Sequence, residues 1–280
     1  MQSNADALAS LSRDDRLAGR TAVVTGSSSG IGEAVARVLA ASGAEVVVTG
    51  RDGARVDAVA ATIRADGGTA HAVTADLGAS PDAVRAFARE ATAALGGRVD
   101  VLVNNAGVYP AAPTAATSDA DLESVWATNV RAPHVLVAAL APAMAERGSG
   151  AVVTVGSWMF FQQGGGRADD PARTGVPFGA IYTASKAAAE QMTRTWAAEY
   201  GPSGVRVNTV APGATSTPGN AEAEAAVAAM TATTPAGRPV RPVDVATAVR
   251  WLVTDEAALV HGALLDVDGG LSATRFLDAA

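Results

Sequence analysis

Tyr182 and Lys186 stand four residues apart in the run IYTASK, and Lys186 is the one lysine among 21 basic residues. On a helix, that spacing projects both side chains from one face. A phenol ionises only at about pH 10. A fixed ammonium beside it favours the phenolate and is expected to draw its pKa down toward the working range. The other 20 basic residues are arginine. A chain of this kind that keeps one lysine points to a position where a compact point charge serves and a planar guanidinium does not. Ser157, which follows the apolar run AVVTVG, can donate a hydrogen bond to a carbonyl oxygen on which negative charge grows. Phenol, ammonium and hydroxyl together can move a proton to or from such an oxygen.

These side chains need elements to hold them. From residue 20 onward, short β-branched runs alternate with alanine-rich helical stretches. The expected strands are 21–25, 45–50, 70–75, 99–104, 151–156, 205–211 and 263–268. They are nearly continuously apolar, as strands buried on both faces of a parallel sheet should be. Helices are expected near 31–42, 52–66, 80–95, 119–146, 179–200 and 243–254. This alternation predicts an α/β fold, a doubly wound parallel sheet of about seven strands with helices on both faces, in a single domain. The domain spans 20–271, between an N-terminal extension (1–19) read as a frayed arm and a C-terminal tail (272–280).

The first strand runs straight into TGSSSGIG (25–32) and then a helix. Gly26 permits a tight turn, Gly30 lets backbone approach a phosphate, and Gly32 lets the helix pack closely on the strand. The helix N-terminus offers free N–H groups and partial positive charge to a pyrophosphate. At the end of the second strand, a carboxylate would bind the ribose hydroxyls of NAD, whereas an arginine would suit the 2′-phosphate of NADP. The chain has Gly50 followed by Arg51 and Asp52, which favours NADP over NAD, although Asp52 is placed to pair with Arg51.

The set TGSSSGIG, NNAG (104–107), Asn129, Ser157, Tyr182 with Lys186, PGATST (212–217) and VDGG (267–270), in this order, resembles the short-chain dehydrogenase/reductase family over roughly 20–271. The resemblance implies a Rossmann-like fold and hydride transfer between a nicotinamide cofactor and a small carbonyl or alcohol substrate. It implies Tyr182 as general acid/base, Lys186 also binding the nicotinamide ribose, Ser157 polarising the carbonyl and Asn129 supporting a proton-relay water. Cofactor contacts are implied for Gly26, Ser28, Ser29, Gly30, Ile31, Gly32, Arg51, Asp76 and Leu77. Others are implied for Asn104, Asn105, Ala106, Gly107, Pro212, Gly213, Thr215 and Thr217. Many NADP-using relatives carry a basic residue where this chain has Ser29. Tetrameric relatives suggest a homotetramer or homodimer assembled through the apolar helix at 135–145 and the helix carrying Tyr182.

Family members place serine and tyrosine about a dozen residues apart, a count that would fall here on Asp169, which cannot donate when ionised. Ser157 is the one serine within reach, so residues 158–179 read as an inserted substrate loop. Its tip, GGGRADDPARTG, is polar and its base, WMFF and VPF, apolar. The loop is expected to close over bound substrate, the alternative being an inert surface insertion.

Composition narrows the remaining classes. The chain has 280 residues, 49% hydrophobic and 18% charged, with a formal net charge of −7, which suits a folded domain with a large core. Its basic residues are scattered, which argues against nucleic acid or an anionic membrane as partner. It has no cysteine, and His71, His134 and His261 lack metal-ligand spacing, so no metal is expected. The longest apolar run, 135–145, is too short to span a bilayer, and a cytoplasmic location is expected.

Overall fold

The computed structural model describes residues 4–9, 11–110, 112–158 and 179–272. Seven parallel strands form one sheet: β1 (Thr21–Val24), β2 (Glu45–Gly50), β3 (Thr69–Thr74), β4 (Val101–Asn104), β5 (Gly150–Val155), β6 (Val205–Pro212) and β7 (Leu264–Val267). Their spatial order is β3-β2-β1-β4-β5-β6-β7. The chain reverses direction across the sheet between β1 and β4, which opens a crevice at their C-terminal ends.

Alternation along each strand fills two cores. Ala22 and Val24 face one side with α2 (Gly30–Ala41), α3 (Gly53–Ala65) and α9 (Pro242–Val253). Val23 and Leu102 face the other with α4 (Pro81–Ala94) and α6 (Ala132–Glu146). Short α5 (Asp119–Val125) precedes α6, α7 (Ala180–Tyr200) follows the undescribed segment, and α8 (Glu224–Thr231) stands beyond β6. Helix starts carry their own chemistry. Ser80 accepts from Ala83 N at 3.1 Å ahead of Pro81, and Asp52 accepts from Arg55 N at 3.2 Å.

Two expectations need correction. The helix read as continuous over 119–146 is interrupted by a π-helical turn at Trp126–Arg131. Pro133 has no N–H to return to the Asn129 carbonyl, so an α-helical ladder cannot run through this point. The described part of the N-terminal arm, 4–9 and 11–19, is also not frayed. It forms α1 (Asn4–Ala9), buries Leu8 and Leu17 in the core beside α2 and α9, and caps α9 through Asn4 Oδ1, which accepts from Val243 N at 3.0 Å. Asp14 pairs with Arg250 of α9 at 2.9 Å. An apolar signal of two leucines spaced nine apart is too sparse to predict such docking. Of the inserted segment, Met159–Phe178 lies outside the described residues, and with it the expected lid, Arg167, Arg173 and Asp169; the same is true of the tail from 273.

Candidate active site

The loop from β1 into α2 is built for a phosphate to approach. Gly30 holds φ +60°, a region that disfavours side chains. A Cβ at Gly32 would run into the Gly26 carbonyl, and one at Gly26 would meet Ala106 Cα at 2.8 Å, so the loop, α2 and the NNAG segment pack backbone to backbone. Asn105 Nδ2 locks this arrangement by donating to Thr25 O at 2.8 Å and Gly26 O at 3.1 Å. Thr25 Oγ1 accepts from Asn105 N and Ala106 N, at 2.9 and 3.0 Å. Thr25 was not singled out in the sequence, although it heads the glycine motif.

Beside this loop lies a cavity of about 600 Å³, bounded by Gly26, Ser28, Ser29, Arg51, Asp76 and Leu77, and reaching Ala106 and Gly107. Its volume and glycine walls fit a dinucleotide. Gly50 also lines it, so the carboxylate that would grip ribose hydroxyls is missing there, and a Cβ at that position would meet Ser28 Oγ at 2.5 Å and require Ser28 to shift. The expected competition from Asp52 is absent. Its carboxylate caps α3, and among the described residues Arg51 has no ion-pair partner. Arg55 lines the same wall and was missed, though it stands one helical turn from Arg51 at the start of α3.

A second cavity, of about 570 Å³, shares Asn105, Gly107 and Val108 with the first, so the two form one trough across the strand ends. Ser157, Tyr182 and Lys186 line it together with Ile31, Pro212, Gly213, Thr215 and Thr217. Ser157 sits just beyond β5 and Tyr182 in the first turn of α7, so the strand end and helix start bring together residues separated by the inserted segment. Ser157 hydrogen-bonds the Tyr182 phenol. Lys186 Nζ donates to Val155 O at 2.8 Å and lies 5.7 Å from the centre of the Tyr182 ring. Tyr109 packs against Tyr182 with ring centres 4.6 Å apart.

The electrostatics differ from the expectation. Burial pushes the Tyr182 pKa up to about 12; the Ser157 hydrogen bond acts against this and Tyr109 adds to it. Burial pulls Lys186 down to about 8. Desolvation therefore sets the direction for both groups, and the Lys186 ammonium is directed at the Val155 carbonyl rather than at the phenol.

Asn129 lines neither cavity. It is 3% exposed in the π turn, where its amide accepts from Val108 N at 2.9 Å and donates to Val108 O and Ser185 Oγ, both at 3.1 Å. It thus ties the loop after β4 to the helix bearing Tyr182. Asn104, expected among the cofactor contacts, is placed elsewhere. It is buried on the Leu102 side of β4, away from both cavities, and its amide atoms have no hydrogen-bond partner among the described residues. Strand alternation could have shown this, since Asn104 and Leu102 share a face. No cluster of three or more potential metal ligands occurs among the described residues, and none of their helices is long and apolar enough to cross a membrane.

A doubly wound sheet with a glycine-walled crevice and a serine–tyrosine–lysine cluster defines a dinucleotide-dependent oxidoreductase. The family model for short chain dehydrogenases matches residues 20–228, and the chain belongs to that family. It is 39% identical over 264 residues to cis-4-hydroxycyclohexanecarboxylate dehydrogenase of Sinomonas cyclohexanicum, covering 92% of this chain and 99% of that protein. Among solved structures it resembles a gluconate 5-dehydrogenase of Burkholderia cenocepacia in complex with NADP and tartrate, with TM-score 0.82, 30% identity and coverage of 96% of this chain and 100% of the other. It also resembles a 7α-hydroxysteroid dehydrogenase complexed with NADH and a 7-oxo bile acid, with TM-score 0.81, 32% identity and coverage of 92% and 96%. The protein is an NAD(P)-dependent dehydrogenase/reductase.

Proposed function

We propose that this protein is an NADP(H)-dependent oxidoreductase that interconverts a ketone or aldehyde and an alcohol, with Tyr182 as general acid/base. The observation that carries the reading is the convergence of Ser157, Tyr182 and Lys186 on a trough whose far end holds Arg51.

NADPH, when bound, supplies the hydride for the carbonyl carbon. As charge grows on the carbonyl oxygen, the Ser157 hydroxyl donates a hydrogen bond to it and Tyr182 gives it the phenolic proton. With its pKa raised to about 12, Tyr182 is fully protonated near neutrality and ready to act as the acid. Lys186 keeps positive charge next to the phenolate left behind and would hold the nicotinamide ribose. Asn129 fixes the loop and α7 that frame the reaction. Residues of the glycine loop (Gly26, Ser28, Ser29, Gly30, Ile31, Gly32), Asp76, Leu77, Asn105, Ala106, Gly107, Pro212, Gly213, Thr215 and Thr217 would hold the rest of the cofactor. Assembly as a homotetramer or homodimer through the exposed side of α6, and a cytoplasmic location, belong to the same reading.

Three features favour NADP: Arg51 is free to meet a 2′-phosphate, Arg55 lines the same wall, and Gly50 offers no carboxylate to the ribose hydroxyls. NADP in the gluconate 5-dehydrogenase complex is consistent with this. NADH in the steroid dehydrogenase complex makes NAD the alternative. The test is kcat/KM with each cofactor in wild type and Arg51→Ala. NADPH is expected to lead by about 2–3 kcal/mol, as a charge-assisted phosphate contact should, and Arg51→Ala to erode that lead by weakening NADPH. Equal kcat/KM for the two cofactors in wild type would refute the assignment. Cofactor binding without turnover of any carbonyl would instead favour a non-catalytic dinucleotide sensor.

A further inference from the structure

The loop after β3 lines the first cavity with Asp76, Leu77 and Gly78. A dinucleotide whose reacting ring lies at Ser157 and Tyr182 in the second cavity puts its adenosine half in the first. Inside the loop, Gly78 N donates to Asp76 Oδ1 at 2.9 Å, and Leu77 is buried in the core shared by α4 and α6. The loop is gripped in addition from the π turn at Trp126–Arg131. Arg131 Nη2 donates to Gly78 O at 2.6 Å. Thr128, which also lines the cavity, stands so close that a Cβ at Gly78 would meet its Oγ1 at 2.8 Å. Gly78 lies outside the left-handed region, so it is this close approach that calls for glycine. The same turn carries Asn129, which holds Val108 and Ser185. Neighbouring residues of one turn therefore hold the adenosine side of the trough and its catalytic side.

From this geometry we infer that Arg131, with Thr128 beside it, is a positioning residue for the adenosine half of the cofactor and acts through the Gly78 carbonyl. The inference rests on the dinucleotide reading above and deepens it. Arg131 itself lines neither cavity, so its influence on the cofactor passes through the loop. Its hydrogen bond is charge-assisted, which makes it the stronger kind and sets where Gly78 O, and with it Asp76 and Leu77, must stand. The guanidinium is not fully satisfied in return: Nε is buried with no hydrogen-bond partner among the described residues. An unpaired buried donor lowers stability, so the residue is better accounted for by what it holds than by the fold it stabilises. The hold is one donor on one carbonyl rather than a two-point fork, and a lysine ammonium can therefore stand in for it.

The test is isothermal titration of the full-length protein with NADPH, NADH and ADP-ribose, which carries the adenosine half without nicotinamide. Arg131→Met should raise the Kd of the tighter dinucleotide and that of ADP-ribose by the same factor, about tenfold or more. Arg131→Lys, which keeps a donor where methionine has none, should stay within about threefold of wild type. Asn129→Ala disturbs the same turn from its other side and should leave the ADP-ribose Kd within about threefold. Gly78→Ala should weaken ADP-ribose about tenfold, and adding Thr128→Ala, which removes the opposing Oγ1, should bring it back to within about threefold. This pair decides the matter if Arg131→Met does not fold. An unchanged Kd in Arg131→Met or Gly78→Ala would overturn the inference. So would a loss as large in Arg131→Lys or Asn129→Ala as in Arg131→Met, or Gly78→Ala binding that Thr128→Ala fails to restore. A wild-type protein that binds neither NADPH nor NADH would refute the dinucleotide reading itself.

Discussion

Tyr182 and Lys186 trade stability for chemistry. The depression of Lys186 to about 8 means that its charged form is disfavoured in the folded protein, by roughly 3 kcal/mol for a shift of this size. The folded chain binds fewer protons than the unfolded one between the folded value and the ordinary lysine value, so stability is lowest below pH 8 and rises as pH climbs from about 8 toward 10.5. Lys186→Met should therefore raise Tm at pH 7 by several degrees while abolishing turnover; a lower Tm would show that the hydrogen bond to Val155 O outweighs the burial penalty. Tyr182→Phe should bind cofactor nearly as wild type and lose about 10²–10⁴-fold in kcat. The raised Tyr182 pKa also gives the two directions different pH profiles. Carbonyl reduction needs the protonated phenol and should vary little from pH 6 to 8. Alcohol oxidation needs the scarce phenolate, so its rate should climb about tenfold per pH unit and bend near pH 8, where Lys186 loses its charge. Steady-state rates in both directions over that range are the check.

The interrupted helix and the glycine turn each set the position of the catalytic groups. Asn129 satisfies both backbone groups of Val108 and reaches Ser185 from a π turn that Pro133 imposes. Asn129→Ala would leave Val108 N and O without these partners, at about 1–3 kcal/mol, and would loosen the segment that places Tyr109 against Tyr182. The expected result is a lower Tm with kcat reduced more than the cofactor Kd is raised. Gly32→Ala acts through a different contact, driving a methyl group into the Gly26 carbonyl and prying α2 off β1. It should weaken cofactor binding at least tenfold by isothermal titration, with Tyr182 chemistry untouched once cofactor is saturating. Unchanged affinity would mean that the loop tolerates a shift that its backbone contacts argue against.

At the scale of the whole molecule, the described residues of the N-terminal arm anchor to α9 and to one of the two cores. Asn4 caps α9, Asp14 pairs with Arg250, and Leu8 and Leu17 enter the core. Just before α9, Val240 bridges Thr215, on the wall of the catalytic cavity, so the arm's anchorage is continuous with that wall. Removing residues 1–10 deletes the Asn4 cap and the buried Leu8 side chain. The expected loss is about 2–4 kcal/mol, or a fall in Tm of roughly 5–15 °C by calorimetry. A truncated protein with unchanged Tm would show that the arm rests on the domain without stabilising it.

The sequence by itself determined the strand and helix alternation, the single parallel sheet, and the serine, tyrosine and lysine that meet in the trough, because strand periodicity, glycine turns and i, i+4 spacing are local properties of the chain. Tertiary structure decided the rest. Burial reversed the expected direction of the Tyr182 pKa, since desolvation depends on everything packed around the phenol. It turned Asn104 away from the cavity, placed Arg55 beside Arg51, and set Asp52 to cap a helix instead of pairing with that arginine. It docked the arm that composition read as loose, because Leu8 and Leu17 share a core with helices that begin only at residues 30 and 242. Which side chains share water, or lose it together, is fixed by contacts between distant segments, and no window along the sequence contains them.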